Sequence, residues 1–172
     1  MPRRPRTAPT PATTDPLAGF RPATRDWFRA SFEDPTPAQA LGWPAIAAGE
    51  HTLICAPTGS GKTLAAFLWC LDRLLGDQVP AEPLDRLRVL YVSPLKALVH
   101  DVDRNLRSPM AGIALAAAGQ GVRATDIRVG MRTGDTPADE RRAFGKHPPD
   151  ILVTTPESLY LLLTSAARVA LR

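Results

Sequence analysis

Residues Ala56, Pro57, Thr58, Gly59, Ser60, Gly61, Lys62 and Thr63 stand in the order a phosphate-binding loop needs. Small residues let backbone N–H groups converge on phosphate oxygens, and a helix that starts directly afterwards aims its positive end at them. The Lys62 ammonium reaches the terminal phosphates. The Thr63 hydroxyl takes one coordination position on a phosphate-bound Mg²⁺. An apolar segment, residues 52–55, runs into this turn, and the helix-like stretch LAAFLWCLDRLL runs out of it. That setting separates the string from an ordinary glycine-rich turn. The chemistry it predicts is the grip of a nucleoside triphosphate with Mg²⁺.

The elements that would position the loop follow from the hydrophobic periodicity. Strands are predicted at 52–55, 88–92, 126–131 and 150–154. Helices are predicted at 24–32 and 37–48, and again starting near Gly61, Pro94, Pro137 and Pro156. Thr36 followed by Pro37 is a helix start, a cap and then proline at the first helical position. Alternating strands and helices predict an α/β fold, a parallel sheet flanked by helices. In open sheets of this kind ligands bind beyond the carboxyl ends of the strands.

Three of those ends share a chemistry. Ser93, Pro94, Leu95 and Lys96 follow one strand, Arg132 to Pro137 follow another, and Thr154, Thr155 and Pro156 follow a third. Taken singly, a Ser-Pro or Thr-Pro pair is an ordinary helix start. Taken together, the hydroxyls of Ser93, Thr154 and Thr155, with Lys96 and Arg132, make an edge suited to a phosphate backbone rather than to bases. Upstream, Gln39 precedes the loop by one helix and a short turn. Its carboxamide offers a donor beside an acceptor, which matches the paired edge of adenine. A nearby ring would stack on the base. Phe20 is the expected one, with Phe28 and Phe32 assigned to the core.

Bulk composition narrows the field. The 172 residues carry a formal charge of +4, with 22% charged and 44% hydrophobic residues, ordinary for a soluble domain. Of the 21 basic residues only Lys62, Lys96 and Lys146 are lysine. The arginine-rich composition fits a GC-rich genome, and the basic balance is compatible with a nucleic-acid partner. No apolar run reaches a membrane span, and the first residues lack a secretory apolar core, so a cytoplasmic location is expected. Residues 1–16, rich in Pro, Thr, Ala and Arg, are expected to be disordered. Cys55 and Cys70 read as small buried apolar residues, with no disulfide.

In order, these segments resemble the first motor domain of superfamily 2 helicases of the DEAD/DEAH-box type. Phe20 with PTPAQ is similar to an adenine-reading Q motif, APTGSGKT to motif I, SPLKAL to motif Ia, RTGDT to motif Ic and TTPESL to motif Ib. The wording of GWPAI, YVSPLKALVHDV and PPDILVTTPESLYLLLTSAA resembles the Lhr, or large helicase-related, family. The resemblance covers residue 17 to the end. It implies an incomplete RecA-like P-loop NTPase domain over 17–172, with ATP and Mg²⁺ as cofactors. Gln39 and Phe20 would hold adenine, and Pro57, Thr58, Gly59, Ser60, Gly61, Lys62 and Thr63 the triphosphate. Ser93, Lys96, Arg132, Thr154 and Thr155 would touch DNA, a single strand or a 3′-tailed duplex. Members of the family are ATP-driven DNA helicases associated with DNA repair.

The family's hydrolytic carboxylates come from a DExH sequence on a strand after TTPESL, and the chain is expected to stop short of it. Asp139 and Glu140, an adjacent acidic pair, follow Thr136-Pro137-Ala138 rather than an apolar strand, so they are expected to be the first turn of a helix. The resulting expectation is a segment that grips ATP without turning it over. Two other readings stand beside it: a non-catalytic nucleotide- and nucleic-acid-binding module, and a small-molecule kinase.

Overall fold

The computed structural model describes residues 15–171, without the side chains of 96–100, 103 and 104. Two helices come first, α1 (Pro22–Ser31) and α2 (Pro37–Ala47). The loop then leads into α3 (Lys62–Gly76). Strands and helices alternate from there: β1 (Val89–Val92), α4 (Lys96–Gly119), β2 (Val129–Arg132), α5 (Ala138–Lys146), β3 (Ile151–Thr154) and α6 (Pro156–Leu163). The sheet is parallel, in the order β1-β3-β2, as the alternation predicts.

β3 is the centre of the sheet and is buried on both faces. Ile151 and Val153 point into a large core with Phe67, Leu68 and Leu71 of α3 and Leu106 and Ile113 of α4. Leu152 points the other way, against Phe144, Leu162 and Ala170. Such two-sided burial is why a continuous apolar ILV is read as a central parallel strand. At the foot of the sheet the Asp150 carboxylate, fully buried, accepts from Arg86 Nε at 3.0 Å, Arg88 Nη2 at 3.1 Å and Arg128 N at 2.8 Å. A buried charge held by two guanidiniums and an amide ties the starts of all three strands together.

A second buried carboxylate fastens the N-terminal helices to α3. Asp72 accepts from Arg21 N at 2.9 Å, and the Arg21 guanidinium continues to Gly76 O and the Asp77 carboxylate. Phe20 lies in the same region.

Several expectations change. Residues 52–55 form no ladder with any described residue, and Leu53 is 88% exposed. The apolar run is present, but a strand needs a neighbour for its alternate N–H and C=O groups, and β1, β3 and β2 pair only with one another. Cys55 is therefore exposed rather than buried. Cys70 is half-buried, and burial pushes its thiol pKa up. Residues 1–14 lie outside the described part. Asp15 begins a turn and accepts from Arg29 Nη2 at 2.7 Å. Asp139 and Glu140 form the first turn of α5, as their sequence context predicts. Among the described residues no helix is long and apolar enough to cross a membrane.

Candidate phosphate-binding site and strand-end edge

The loop takes its shape from two glycines. Gly59 (φ 81°) and Gly61 (φ 76°) lie in the left-handed region, which a side chain disfavours. At Gly61 a Cβ would also stand 2.6 Å from Gln39 Nε2, so both conformation and space require glycine. The Lys62 ammonium donates to the carbonyls of Ala56 and Pro57, each at 2.6 Å. It is thus held over the loop by two neutral acceptors, which a phosphate oxygen would outcompete by charge. Thr63 is exposed on the first turn of α3. Ser60 Oγ is buried with no hydrogen-bond partner.

Gln39 is 4% exposed and tied to the same loop. Its Oε1 accepts from Thr36 N at 2.9 Å, closing a capping box on α2, and its Nε2 donates to Gly61 O at 3.4 Å. Thr36 Oγ1 donates to Ser60 O at 2.8 Å. The segment 36–39 and the loop therefore form one hydrogen-bonded unit. A cavity of about 770 Å³ opens beside it. Thr58, Gly59, Gly61, Lys62 and Thr63 line one part, and Gln39, Asp34, Phe32 and Trp27 another. Pro57 and Ser60 are not among the lining residues.

Phe20 is not in this cavity. It is 4% exposed and packs edge-on against Trp43 at 4.9 Å and Trp69 at 5.5 Å. Phe28 is core, as expected, but Phe32 is 43% exposed and stands edge-on to Trp27 at 5.8 Å. The sequence reading assigns Phe32 to the core with Phe28. Phe32 is instead the C-cap of α1, where the chain leaves the helix. The extended backbone there is the signal a sequence reading lacks.

Ser93, Thr154 and Arg132 meet at the strand ends, and the hydroxyls of Ser93 and Thr154 are engaged within the protein. In the register Val92, Thr154 and Arg132 lie side by side. Thr154 Oγ1 is buried and donates to Arg132 O at 2.6 Å. Ser93, fully buried, donates from its hydroxyl to Leu95 O and from its backbone N to Thr154 O. Thr155 caps α6, accepting from Ser158 N at 3.4 Å. Lys96 opens α4, and its side chain lies outside the described residues. Arg132 is half-buried with its guanidinium over the Phe144 ring at 5.4 Å. Burial, and after it the like charge of Arg141, pushes the Arg132 pKa below its ordinary value. Arg141, which the sequence did not single out, pins the turn after β2 by donating to Thr136 O at 2.7 Å and Gly134 O at 3.1 Å.

The loop fits a phosphate chain with its metal through its glycine backbone, its charge and the Thr63 hydroxyl. Among the described residues no group of three or more His, Cys, Asp or Glu side chains is placed to hold a metal by itself.

The model of the family described as DEAD/DEAH box helicase matches residues 36–171. The Escherichia coli Lhr helicase/uracil glycosylase is 55% identical over 157 residues, covering 89% of this chain and 10% of that protein. The Methanocaldococcus jannaschii ATP-dependent helicase Lhr-Core is 43% identical over 141 residues, 82% of this chain and 17% of its own length. The Mycobacterium smegmatis helicase Lhr, solved bound to ssDNA and AMP-PNP, superposes with a TM-score of 0.85 at 57% identity, covering 92% of this chain and 20% of that one. The chain thus spans a tenth to a fifth of the length of these relatives.

Proposed function

Because the chain belongs to the DEAD/DEAH box helicase family, we propose that it binds ATP·Mg²⁺ at the Gln39–loop cavity and nucleic acid at its strand-end edge. The observation that carries this is the Lys62 ammonium, held at 2.6 Å on two carbonyls in a cavity that Gln39 also lines. The Lhr structure at 57% identity holds AMP-PNP and ssDNA, which supports both ligands for this chain.

On this reading the loop N–H groups and Lys62 hold the triphosphate. Thr63 gives one oxygen to the Mg²⁺, which would neutralise phosphate charge when bound. Gln39 addresses adenine with the N–H and lone pair its loop bonds leave free. Phe32, not Phe20, is the ring for the base, because it lines the cavity and is exposed there, whereas Phe20 is buried elsewhere. At the edge Arg132, Lys96 and backbone N–H groups take the phosphates of a DNA strand, while Ser93, Thr154 and Thr155 hold that edge in shape.

In the longer relatives this unit would serve ATP-driven DNA unwinding, in the cytoplasm, and we extend to it the association with repair. The chain itself grips ATP without hydrolysing it. Asp34 is the one carboxylate among the cavity-lining residues, and it belongs to the segment that carries Phe32 and Gln39. Hydrolysis needs a carboxylate at the metal and another group to orient water. The kinase reading has no use for Gln39, whose Nε2 lies 3.4 Å from Gly61 O.

The test is ATP·Mg²⁺ titration and phosphate release by the 172-residue chain, with and without single-stranded DNA, against Lys62→Ala. Saturable binding that depends on Lys62, without DNA-stimulated release, is expected. Absence of binding overturns the nucleotide site, and release above the Lys62→Ala control overturns the binding-only reading.

A further inference from the structure

The nucleotide cavity has a second wall that the loop and the Gln39 segment do not supply. Asn105, Leu106, Ser108 and Pro109, all from the middle of α4, line the same 770 Å³ space. Leu106 and Pro109 face the apolar side of that wall and are buried. Asn105 and Ser108 are exposed, and at a spacing of three they share a helix face. The Asn105 carboxamide makes no hydrogen bond among the described residues, whereas the Gln39 carboxamide already makes two.

A purine carries donors and acceptors on more than one edge. Gln39, fixed to Thr36 and Gly61, can address only the edge turned toward it. A base enclosed between Phe32, Trp27, Phe67 and Leu106 loses water from its remaining polar atoms. Each of those left unpaired costs binding free energy. A carboxamide, able to donate and accept side by side, is suited to meeting them.

We propose that Asn105, with Ser108 one turn on, is a base-selecting residue: α4 forms the wall that reads the nucleobase edge turned away from Gln39. The proposal rests on the nucleotide reading of the cavity. It assigns α4, which starts at the strand-end edge, a direct part in choosing the nucleotide.

The test is competition against a fluorescent ATP analogue by ATP, GTP and inorganic tripolyphosphate, on the full chain and on Asn105→Ala. Asn105 is exposed on a helix, where alanine is well tolerated, so the variant keeps the fold. Expected is a loss of ATP affinity of about fivefold to tenfold with tripolyphosphate affinity unchanged, and a smaller preference for ATP over GTP. Recovery of part of the ATP preference in Asn105→Gln supports the same assignment. Equal shifts for ATP and tripolyphosphate, or no shift in either, overturn the role of Asn105 while leaving the nucleotide site standing. If neither ATP nor tripolyphosphate binds the unaltered chain, the nucleotide reading itself fails and this inference falls with it.

Discussion

The phosphate loop and the strand-end edge are written in similar residues, small and hydroxylated ones between a strand-like run and a helix, yet they are built in opposite ways. At the loop the polar atoms are loosely held: Thr63 is exposed, Ser60 Oγ lacks a partner and Lys62 rests on two neutral carbonyls. At the edge the hydroxyls of Ser93, Thr154 and Thr155 are buried and bonded within the protein. The difference follows from the ladder. β1, β3 and β2 hold one another in register, so side chains at their ends are drawn into the sheet's own hydrogen bonding. Residues 52–55 pair with no described residue, and the loop beyond them is shaped by Gly59, Gly61 and the Thr36–Gln39 box. One region leaves its polar groups loosely held, and the other uses them to fix its own geometry.

Substitutions should separate the two. The largest effect is expected for Lys62→Ala, which removes the charged donor without touching a buried group. ATP·Mg²⁺ affinity should fall by roughly 10- to 100-fold, read by calorimetric titration, with the urea unfolding midpoint unchanged. Gly61→Ala should affect both properties. The left-handed backbone costs about 1–2 kcal/mol, and the contact with Gln39 Nε2 displaces the amide that addresses the base. Urea unfolding and nucleotide titration on one preparation would show the paired loss, and a loss confined to stability would detach Gln39 from the site.

Thr155→Ala should cost about 1 kcal/mol through the α6 cap and leave ATP binding as it was, again by urea unfolding and titration. The smallest effect concerns the cysteines. Exposed Cys55 should react first with a thiol reagent. Cys70, held as thiol by burial, should lag until the pH rises above the ordinary thiol range, since the thiolate is the reactive form. Mass spectrometry after timed labelling at several pH values checks the order.

The loop was legible in the sequence because small residues followed by Lys-Thr at a helix start form an unusual string. In the structure Gly59 and Gly61 adopt left-handed backbone, and Lys62 opens α3. Parallel pairing was legible in ILV at 151–153, whose two-sided burial leaves a continuous apolar run. The order β1-β3-β2 was not, since nothing local to a strand names its neighbour. The same limit explains residues 52–55, which have a strand's composition and no ladder partner among the described residues. Gln39 was recognised as a candidate, but its box with Thr36 and its bond to Gly61 O depend on the loop folding back onto α2. That Phe20 is core and Phe32 lines the cavity was not legible, because aromatic character does not say which ring the Trp43–Trp69 core will take. Asn105 carried no signal at all, being one polar residue on a long helix.

The central claim is that nucleotide binding lives in the loop, while the buried hydroxyls of the edge hold that edge in shape. Its most direct test is Thr154→Val, measured beside Lys62→Ala for both urea stability and ATP·Mg²⁺ affinity. Removing the Thr154 hydroxyl leaves Arg132 O without its buried donor, so stability should fall by about 1–3 kcal/mol while nucleotide affinity stays within twofold. Loss of nucleotide affinity in Thr154→Val comparable to that in Lys62→Ala, with stability intact, would contradict the account.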